Sequence, residues 1–293
     1  MKKKEIKSFL KKQIKLSCYA EMSALKPGNV HEYSPGHRMI TKDFYKSANI
    51  IANCLTNNNF HFSKKILKCV QEIKEKVKKN TNLGIILLFA PIVSIVLEKG
   101  ILNKKELYKK IPLYIKKQNL KKSLPIFEAI KIATPGGLGK STKYDVNQLP
   151  KVTLYNAMNY SSKKDFIAKQ YITGFKDIFK IGLPAYENFQ NNCKDEKWIL
   201  TWVYLTFLKS LADSHIKRNK GIKVAKKVKI EAKKYYKLLK NEKKNNNMRK
   251  ITKKLLFFDK KLKSAGINPG TTADLTVATL FIKKVTEKQQ KKL

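Results

Sequence analysis

The chain has 293 residues, enough to bury a sizeable core in one large domain or two small ones. Hydrophobic residues make up 42% of it and charged residues 29%, a balance that excludes an intrinsically disordered chain. The formal net charge is +43. A charge of this size would by itself suggest a nucleic acid, a membrane surface or an anionic substrate as partner.

The residues that carry the positive charge argue against a nucleic-acid partner. Arginine occurs only at Arg38, Arg218 and Arg249, so nearly all of the charge is lysine, spread along the whole chain. Lysine accompanies abundant Asn and Ile here, and all three have A/T-rich codons, which is typical of compositional drift at permissive surface positions. Because nucleic-acid readers rely on the bidentate guanidinium and concentrate charge on one face, we predict a solvated lysine surface and no nucleic-acid partner.

The cysteines and the apolar stretches indicate an intracellular protein. The cysteines have neither a C-x-x-C spacing nor a nearby histidine, so we expect reduced thiols and no zinc site or disulfide framework. An amphipathic run follows Met1, which does not fit a secretory signal. The longest apolar stretch, 83–97, is interrupted by Pro91 and is shorter than the ~20 residues of a membrane span. We therefore predict a cytoplasmic protein without a membrane partner; the sequence does not assign its oligomeric state. The four cysteines are Cys18, Cys54, Cys69 and Cys193.

Helical periodicity dominates the whole chain. Apolar residues recur every three or four positions over 6–18 and again over 66–77, after Ser63 as a predicted N-cap. The segments 83–97 and 198–211 are apolar on all sides, as expected of helices at the centre of a helical domain. No alternating strand pattern competes with these. We predict an all-α fold, a single multi-helix domain over residues 1–293 with two central buried helices.

The turn at Asn268-Pro269-Gly270 leads into an apolar helix through Thr271-Thr272-Ala273-Asp274. Gly270 would let a ligand approach the backbone, and a helix N-terminus offers free N–H groups and a positive dipole end to phosphate. The alternative is structural: Thr271 and Asp274 have the spacing of a capping box.

A second motif, Ala212-Asp213-Ser214-His215, ends the apolar segment 198–211. A carboxylate directly after a buried helix requires a cation, a metal or hydrogen-bond donors to stay ionised. His215 and Arg218 add two anion-binding side chains within about one and a half turns, at ~3.6 residues per turn. The alternative is an i,i+4 ion pair between Asp213 and Lys217.

Three further segments carry polar residues next to turns. Asn80-Thr81-Asn82-Leu83-Gly84 opens the first central helix with more amides than an N-cap requires. Glu21 precedes Lys26-Pro27-Gly28-Asn29-Val30-His31 and falls on the core side of the first helix. The glycine-rich segment 136–139, with Asp145, matches neither the P-loop nor the dinucleotide fingerprint.

In their order along the chain, these motifs resemble the triphosphoribosyl-dephospho-coenzyme A synthase family, from about Cys18 to Phe281. The resemblance implies an all-α fold. It also implies transfer of the triphosphoribosyl group of ATP to the ribose 2′-hydroxyl of 3′-dephospho-coenzyme A, with release of adenine, to make a prosthetic-group precursor. ATP and a dephospho-CoA-like acceptor would then be the small-molecule substrates.

The implied reaction assigns roles to the motif residues. Asp213 and Asp274 are expected to be catalytic and to hold Mg²⁺ against the phosphates, with Asp145 as a further candidate ligand. Glu21 is the candidate base. The predicted nucleotide and phosphate ligands are Lys26, Asn29, His31, Asn80, Asn82, His215, Arg218, Asn268, Gly270, Thr271 and Thr272.

One departure from the family pattern concerns the acceptor. The family usually has an acidic residue about ten positions after Lys-Pro-Gly, but this chain has no carboxylate between Glu32 and Asp43. This departure leaves open a related nucleotide-using enzyme of another cofactor pathway, such as one-carbon cofactor synthesis. A basic nucleic-acid-binding protein stays open as an alternative of a different class.

Overall fold

A computed structural model describes residues 2–37, 39–79, 81–136, 139, 141–244 and 248–290. Within these ranges the chain is all-α, with isolated bridges at His31–Ser34 and Gly36–Met39 as the only β-type pairing. The helices are α1 (Lys3–Ser23), α2 (Thr41–Leu55), α3 (Phe62–Val77), α4 (Leu83–Lys99), α5 (Lys104–Lys116), α6 (Leu120–Ala133), α7 (Leu154–Ser161), α8 (Phe166–Thr173), α9 (Leu183–Gln190), α10 (Glu196–Ser210), α11 (Ser214–Lys220), α12 (Ile222–Lys244), α13 (Met248–Ser264) and α14 (Gly270–Gln290).

The amphipathic stripes fold as the sequence predicts. In α1 the residues Ile6, Leu10, Ile14 and Cys18 are buried, because their spacing places them on one face of a 3.6-residue period. The N-cap of α3 is His61, two residues before the predicted Ser63. A ladder of apolar residues fixes the face of a helix but not its first residue, so ends are the least certain part of such predictions.

Both segments predicted to be central are buried helices. All residues from Ile85 to Val96 in α4 are buried, and so are those from Ile199 to Leu208 in α10. A third helix, α14, packs against α1, α4 and α10, with Phe281 stacked 4.1 Å from Phe89. The N-terminal ends of α4 and α14 are thereby held side by side.

The hydrophobic core forms one continuous cluster that runs from α1 to α14. The single-domain organisation over residues 1–293 remains a prediction, with which this cluster agrees. In the part of the chain that the structure describes, no helix alone combines the length and apolarity needed to cross a membrane; α4 and α5 reach that threshold only as a pair bent by 108°.

Candidate active site

A cavity of about 420 Å³ opens where several helix ends meet. It lies between the first turns of α4 and α14, the end of α1 and the segment that joins α7 to α8. Helix N-termini present unpaired N–H groups and the positive end of the helix dipole. The backbone at these helix ends can therefore donate hydrogen bonds to an anion in the cavity.

Ten of the predicted site residues line this cavity, although they come from distant parts of the sequence. They are Glu21, Asn29, Asn82, Asp145, His215, Arg218, Asn268, Gly270, Thr271 and Asp274. Lys26, His31, Asp213 and Thr272 do not line it, and Asn80 lies outside the described residues.

Asp274 lies on the first turn of α14, against the N-terminus of α4. A β-carbon at Gly84 would overlap its carboxyl group, 2.5 Å from the carboxyl carbon. Glycine is therefore what permits the close approach of the two helices here. The carboxylate accepts no hydrogen bond from any described residue. Burial, followed by the negative charges of Glu21, Asp213 and Asp165, raises the pKa of Asp274 well above its usual value.

Glu21 lines the cavity from the last turn of α1 and is only 3% exposed. Its Oε1 accepts a short hydrogen bond from Lys26 Nζ, which is completely buried behind the cavity wall. Burial raises the pKa of Glu21, although Lys26 opposes the shift. Burial lowers the pKa of Lys26, and the negative charges of Glu21 and Asp274 oppose this shift. Lys26 thus balances buried carboxylates from behind and does not reach a ligand directly.

Asn82 has strained backbone geometry and an unused amide group. It occupies the N-cap position of α4 with a positive φ of 64° and makes no capping hydrogen bond through its side chain. Its Nδ2 is buried without a hydrogen-bond partner. Residues held in such conformations with unpaired polar atoms concentrate at functional sites, and Nδ2 can donate to a ligand in the cavity.

The two Pro-Gly turns pack against each other. Asn29 Nδ2 donates to Asn268 Oδ1 over 2.8 Å, and a β-carbon at Gly28 would lie 2.8 Å from Pro269 Cδ. Gly28 also has a φ of +85°, a backbone conformation that favours glycine. His215 Nδ1 lies 2.8 Å from the carbonyl oxygen of Asn268. The first turn of α14 is thereby fixed to the loop after α1.

Asp213 does not fit the metal-ligand role predicted for it. It is the N-cap of α11, where Oδ1 accepts from the amides of His215 and Ile216 at 2.8 and 3.0 Å. Its Oδ2 accepts from the amide and the hydroxyl of Thr272, both at 2.7 Å. Because a carboxylate has about four acceptor positions, none is left for a cation. We correct the prediction that Asp213 is a metal ligand: it joins the N-termini of α11 and α14. Thr272, predicted as a phosphate ligand, donates its hydrogen bonds to Asp213.

His31 also lies outside the cavity. Its Nε2 is 3.2 Å from Asp259 Oδ1 on α13, and burial lowers the pKa of this imidazole. The same Asp259 accepts from the amide of Gly28 at 2.8 Å and from Lys263 at 3.0 Å. His31 therefore does not reach the cavity in this structure, and its ligand role stays a prediction. Asp259 could not be predicted from the sequence, since one aspartate in an amphipathic helix is ordinary.

Arg218 lines the cavity but is not free. Its guanidinium pairs with Asp165, the N-cap of α8, which also lines the cavity. The Arg218 Nε is buried and has no partner. Sequence reasoning missed Asp165, although an aspartate directly before the apolar start of α8 is a recognisable N-cap signal.

The side of the cavity near α6 and α7 is aromatic and apolar. Phe127, Met158 and Tyr160 line it, and Tyr144 packs edge-on against Tyr160 with ring centroids 5.5 Å apart. Asp145 lies on this side and accepts from the amides of Ser141 and Asn147 at 3.0 and 2.8 Å. The sequence did not reveal this wall, because its residues belong to segments that read as ordinary amphipathic helix and loop.

One end of the cavity is charged and has carboxylates among helix N-termini, and the other end is apolar and aromatic. Such a site suits an amphiphilic anion, such as a nucleotide. A model of the ATP:dephospho-CoA triphosphoribosyl transferase family matches residues 7–293. The chain belongs to this family and is a transferase; the family acts on ATP and dephospho-CoA. The resemblance inferred from the motifs is confirmed.

A solved structure shows the same fold. It is the crystal structure of a protein from Archaeoglobus fulgidus that carries the provisional name triphosphoribosyl-dephospho-coA synthase. The match covers 82% of this chain and 98% of that one, with a TM-score of 0.63 and 21% identity. No curated protein sequence matches the chain significantly.

Proposed function

We propose that the cavity at the N-termini of α4 and α14 transfers the triphosphoribosyl group of ATP to the 2′-hydroxyl of 3′-dephospho-CoA and releases adenine. The observation that carries this proposal is Asp274, a carboxylate held against Gly84 without a hydrogen bond from the described residues. A partly buried structural carboxylate is normally paired. One left unpaired next to helix N-termini is suited to act on a ligand.

The triphosphate is bound at the helix ends. The backbone of Gly270 and Thr271 and the free Nδ2 of Asn82 donate to phosphate oxygens, as helix N-termini do in other phosphate sites. Arg218 contributes positive charge from α11, and His215 on the same helix presents its imidazole to the cavity. Arg218 would exchange its pairing with Asp165 for a phosphate, which is a charge-assisted interaction of the same kind.

Mg²⁺ fits this site through one protein carboxylate. In the described part of the chain no group of three or more Cys, His, Asp or Glu side chains is arranged to hold a metal, and Asp213 is saturated by hydrogen bonds. Asp274 is unsaturated, and Mg²⁺ is commonly bound by one or two carboxylates together with substrate phosphates. When bound there it would neutralise phosphate charge. Asp145 already accepts hydrogen bonds from two amides, so it would contact Mg²⁺ only from the side of the loop before α7.

Glu21 acts as the general base. The bond between ribose C1′ and adenine breaks as the 2′-hydroxyl oxygen of the acceptor bonds to C1′. The hydroxyl proton passes to Glu21 Oε, and adenine leaves with the bonding electron pair on N9 and takes up a proton from solvent. A raised pKa brings a carboxylate closer to neutral pH, where a base works best. Lys26 keeps Glu21 in place and compensates its charge before the proton arrives. The carboxylates also stabilise the oxocarbenium-like charge at C1′.

The aromatic side of the cavity would receive adenine. Tyr144, Tyr160 and Phe127 offer flat apolar surface to a purine. Because the site is built for small molecules that include ATP, we keep the predictions of a cytoplasmic location and of no nucleic-acid or membrane partner as part of this proposal.

The test is chromatography of the purified protein with ATP, Mg²⁺ and 3′-dephospho-CoA. The proposal expects free adenine that depends on the acceptor and is lost in Asp274→Asn. Formation of ADP or AMP without adenine would contradict it. Adenine release that requires a different acceptor would instead favour the related cofactor enzyme suggested by the missing carboxylate near Met39.

A further inference from the structure

A second cavity of about 380 Å³ lies away from the active site. It is formed by the N-terminus of α3 and by Ser94 and Glu98 in the C-terminal half of α4. The active site uses the N-terminus of α4, and the eleven residue steps from Leu83 to Ser94 span roughly 16 Å at ~1.5 Å per step. The two cavities are therefore separate.

Lys65 is the unusual residue of this second cavity. It is only 5% exposed, yet its amine has no hydrogen bond or ion pair with any described residue. Burial lowers the pKa of this amine to about 8, although the negative charge of Glu98 opposes the shift. A lysine buried in this way is normally paired, so the amine lacks the acceptor that its surroundings call for.

Two neighbouring groups also lack partners. Ser94 is 3% exposed, and its Oγ is buried without a hydrogen bond. The first turn of α3 opens on the cavity, and its N-cap, His61, makes no capping hydrogen bond through its side chain. An ammonium group, a hydroxyl and the free amides of a helix N-terminus are the donors that bind an oxyanion. Glu98 is the one carboxylate that lines this cavity among the described residues, and it lies at the exposed rim.

We propose that this cavity binds a small oxyanion, a free phosphate or the phosphate group of a small metabolite, between Lys65, Ser94 and the first turn of α3. The site is independent of the proposed transferase reaction. It also differs from the general lysine surface, because Lys65 is desolvated and the exposed lysines are not. An anion here would bind through charge-assisted hydrogen bonds in a partly dry environment, where they are strongest.

Competitive labelling tests this directly at Lys65. Trace acetic anhydride acetylates unprotonated amines, and peptide mass spectrometry reports each lysine separately. We compare labelling with inorganic phosphate, with glycerol 2-phosphate and with chloride at matched ionic strength. Bound anion would protonate and cover the Lys65 amine, so its acetylation should fall while that of exposed Lys68, on the same helix, stays constant. Protection by both phosphate compounds indicates a metabolite site, and protection by inorganic phosphate alone a free-phosphate site.

The matched variant is Ser94→Ala, which removes an unpaired hydroxyl and leaves the fold intact. It should weaken the phosphate protection of Lys65 by roughly ten-fold, the loss expected for one charge-assisted hydrogen bond. Equal labelling of Lys65 with phosphate and with chloride would overturn the proposal. Equal protection of Lys65 and Lys68, or protection unaffected by Ser94→Ala, would overturn it as well.

Discussion

The carboxyl group of Asp274 occupies the space that a side chain at Gly84 would need. A β-carbon on Gly84 would lie 2.5 Å from the carboxyl carbon of Asp274 and 3.1 Å from its Oδ1. Contacts this short do not occur in proteins, so any larger residue at position 84 must displace the carboxylate. Gly84 is far from Asp274 in the sequence, yet the absence of a side chain at Gly84 determines where the Asp274 carboxylate lies.

We therefore expect Gly84→Ala to fold and to lose activity. The displaced atoms belong to one side chain, and alanine is otherwise the better helix former, so the melting temperature should stay close to that of the parent. A misplacement of about 1 Å in a catalytic group can cost roughly 100-fold in rate. Adenine release from ATP should fall by about that factor.

Gly136→Ala is the matched control for this prediction. Gly136 also lines the active-site cavity, but a β-carbon there would come no closer than 3.5 Å to another residue. Its turnover should remain near that of the parent. Equal losses in both variants would mean that the cavity merely tolerates no added volume, and the Gly84–Asp274 contact would have no special role.

Asp274→Asn should stabilise the protein at neutral pH. The folded-state pKa of Asp274 is raised well above the ordinary value of 3.8, chiefly by burial. Asp274 therefore opposes folding more strongly as the pH rises from about 4 through its folded-state pKa. Below the unfolded pKa both states are protonated, and the opposition disappears.

Urea denaturation across a pH series measures this effect. The variant should exceed the parent in unfolding free energy at pH 7, and the difference should vanish as the pH falls to about 4. A variant that is less stable than the parent at pH 7 would show that Asp274 is paired in the folded protein, which would remove it from the proposed metal site.

Asp213→Asn should behave in the opposite way. The Asn side chain keeps one acceptor oxygen for the amides of His215 and Ile216, but its NH₂ group cannot accept from Thr272. Unsatisfied buried donors cost about 1–3 kcal/mol each, and two donors of Thr272 lose their acceptor. The unfolding free energy, measured in urea, should drop by several kcal/mol. An inactive variant with unchanged stability would instead restore the catalytic role that the sequence predicted for Asp213.

Lys26→Met isolates the buried pair with Glu21. Removal of one partner from a buried pair typically costs about 3–5 kcal/mol, because the other charge is left uncompensated. The double variant Glu21→Gln/Lys26→Met should recover much of this loss while it remains inactive. A thermodynamic cycle over the parent, the two single variants and the double variant gives the coupling. A coupling energy near zero would contradict the paired arrangement.

The helical fold was predictable because helical periodicity leaves a direct trace in the sequence. The stripes in α1 and α3 and the apolar runs of α4 and α10 each specify a buried face. The central position of α14 was harder to predict, because threonines in its buried face, such as Thr276, satisfy their hydroxyls on carbonyl groups of the preceding turn. The lysine- and asparagine-rich stretch after α12 also predicts a loop around Asn245 to Asn247, positions that lie outside the described residues.

The turns that form the site were predictable from the sequence, but the roles of the individual residues were not. Asp213 and Asp274 look alike in sequence, since both are acidic residues at apolar helix ends. Only the fold shows that Thr272 saturates one and that Gly84 leaves room for the other. Asp165, Asp259 and the aromatic wall were missed because their roles arise from contacts between distant segments.

The most direct test of the account is the fate of the ribose of ATP. The protein is incubated with ATP carrying heavy isotope in the ribose, with Mg²⁺ and 3′-dephospho-CoA, and the products are analysed by mass spectrometry. The account predicts unlabelled free adenine together with an acceptor that has gained a labelled triphosphoribosyl group. Labelled ADP or AMP, with the acceptor unchanged and the adenine still attached to its ribose, would contradict it.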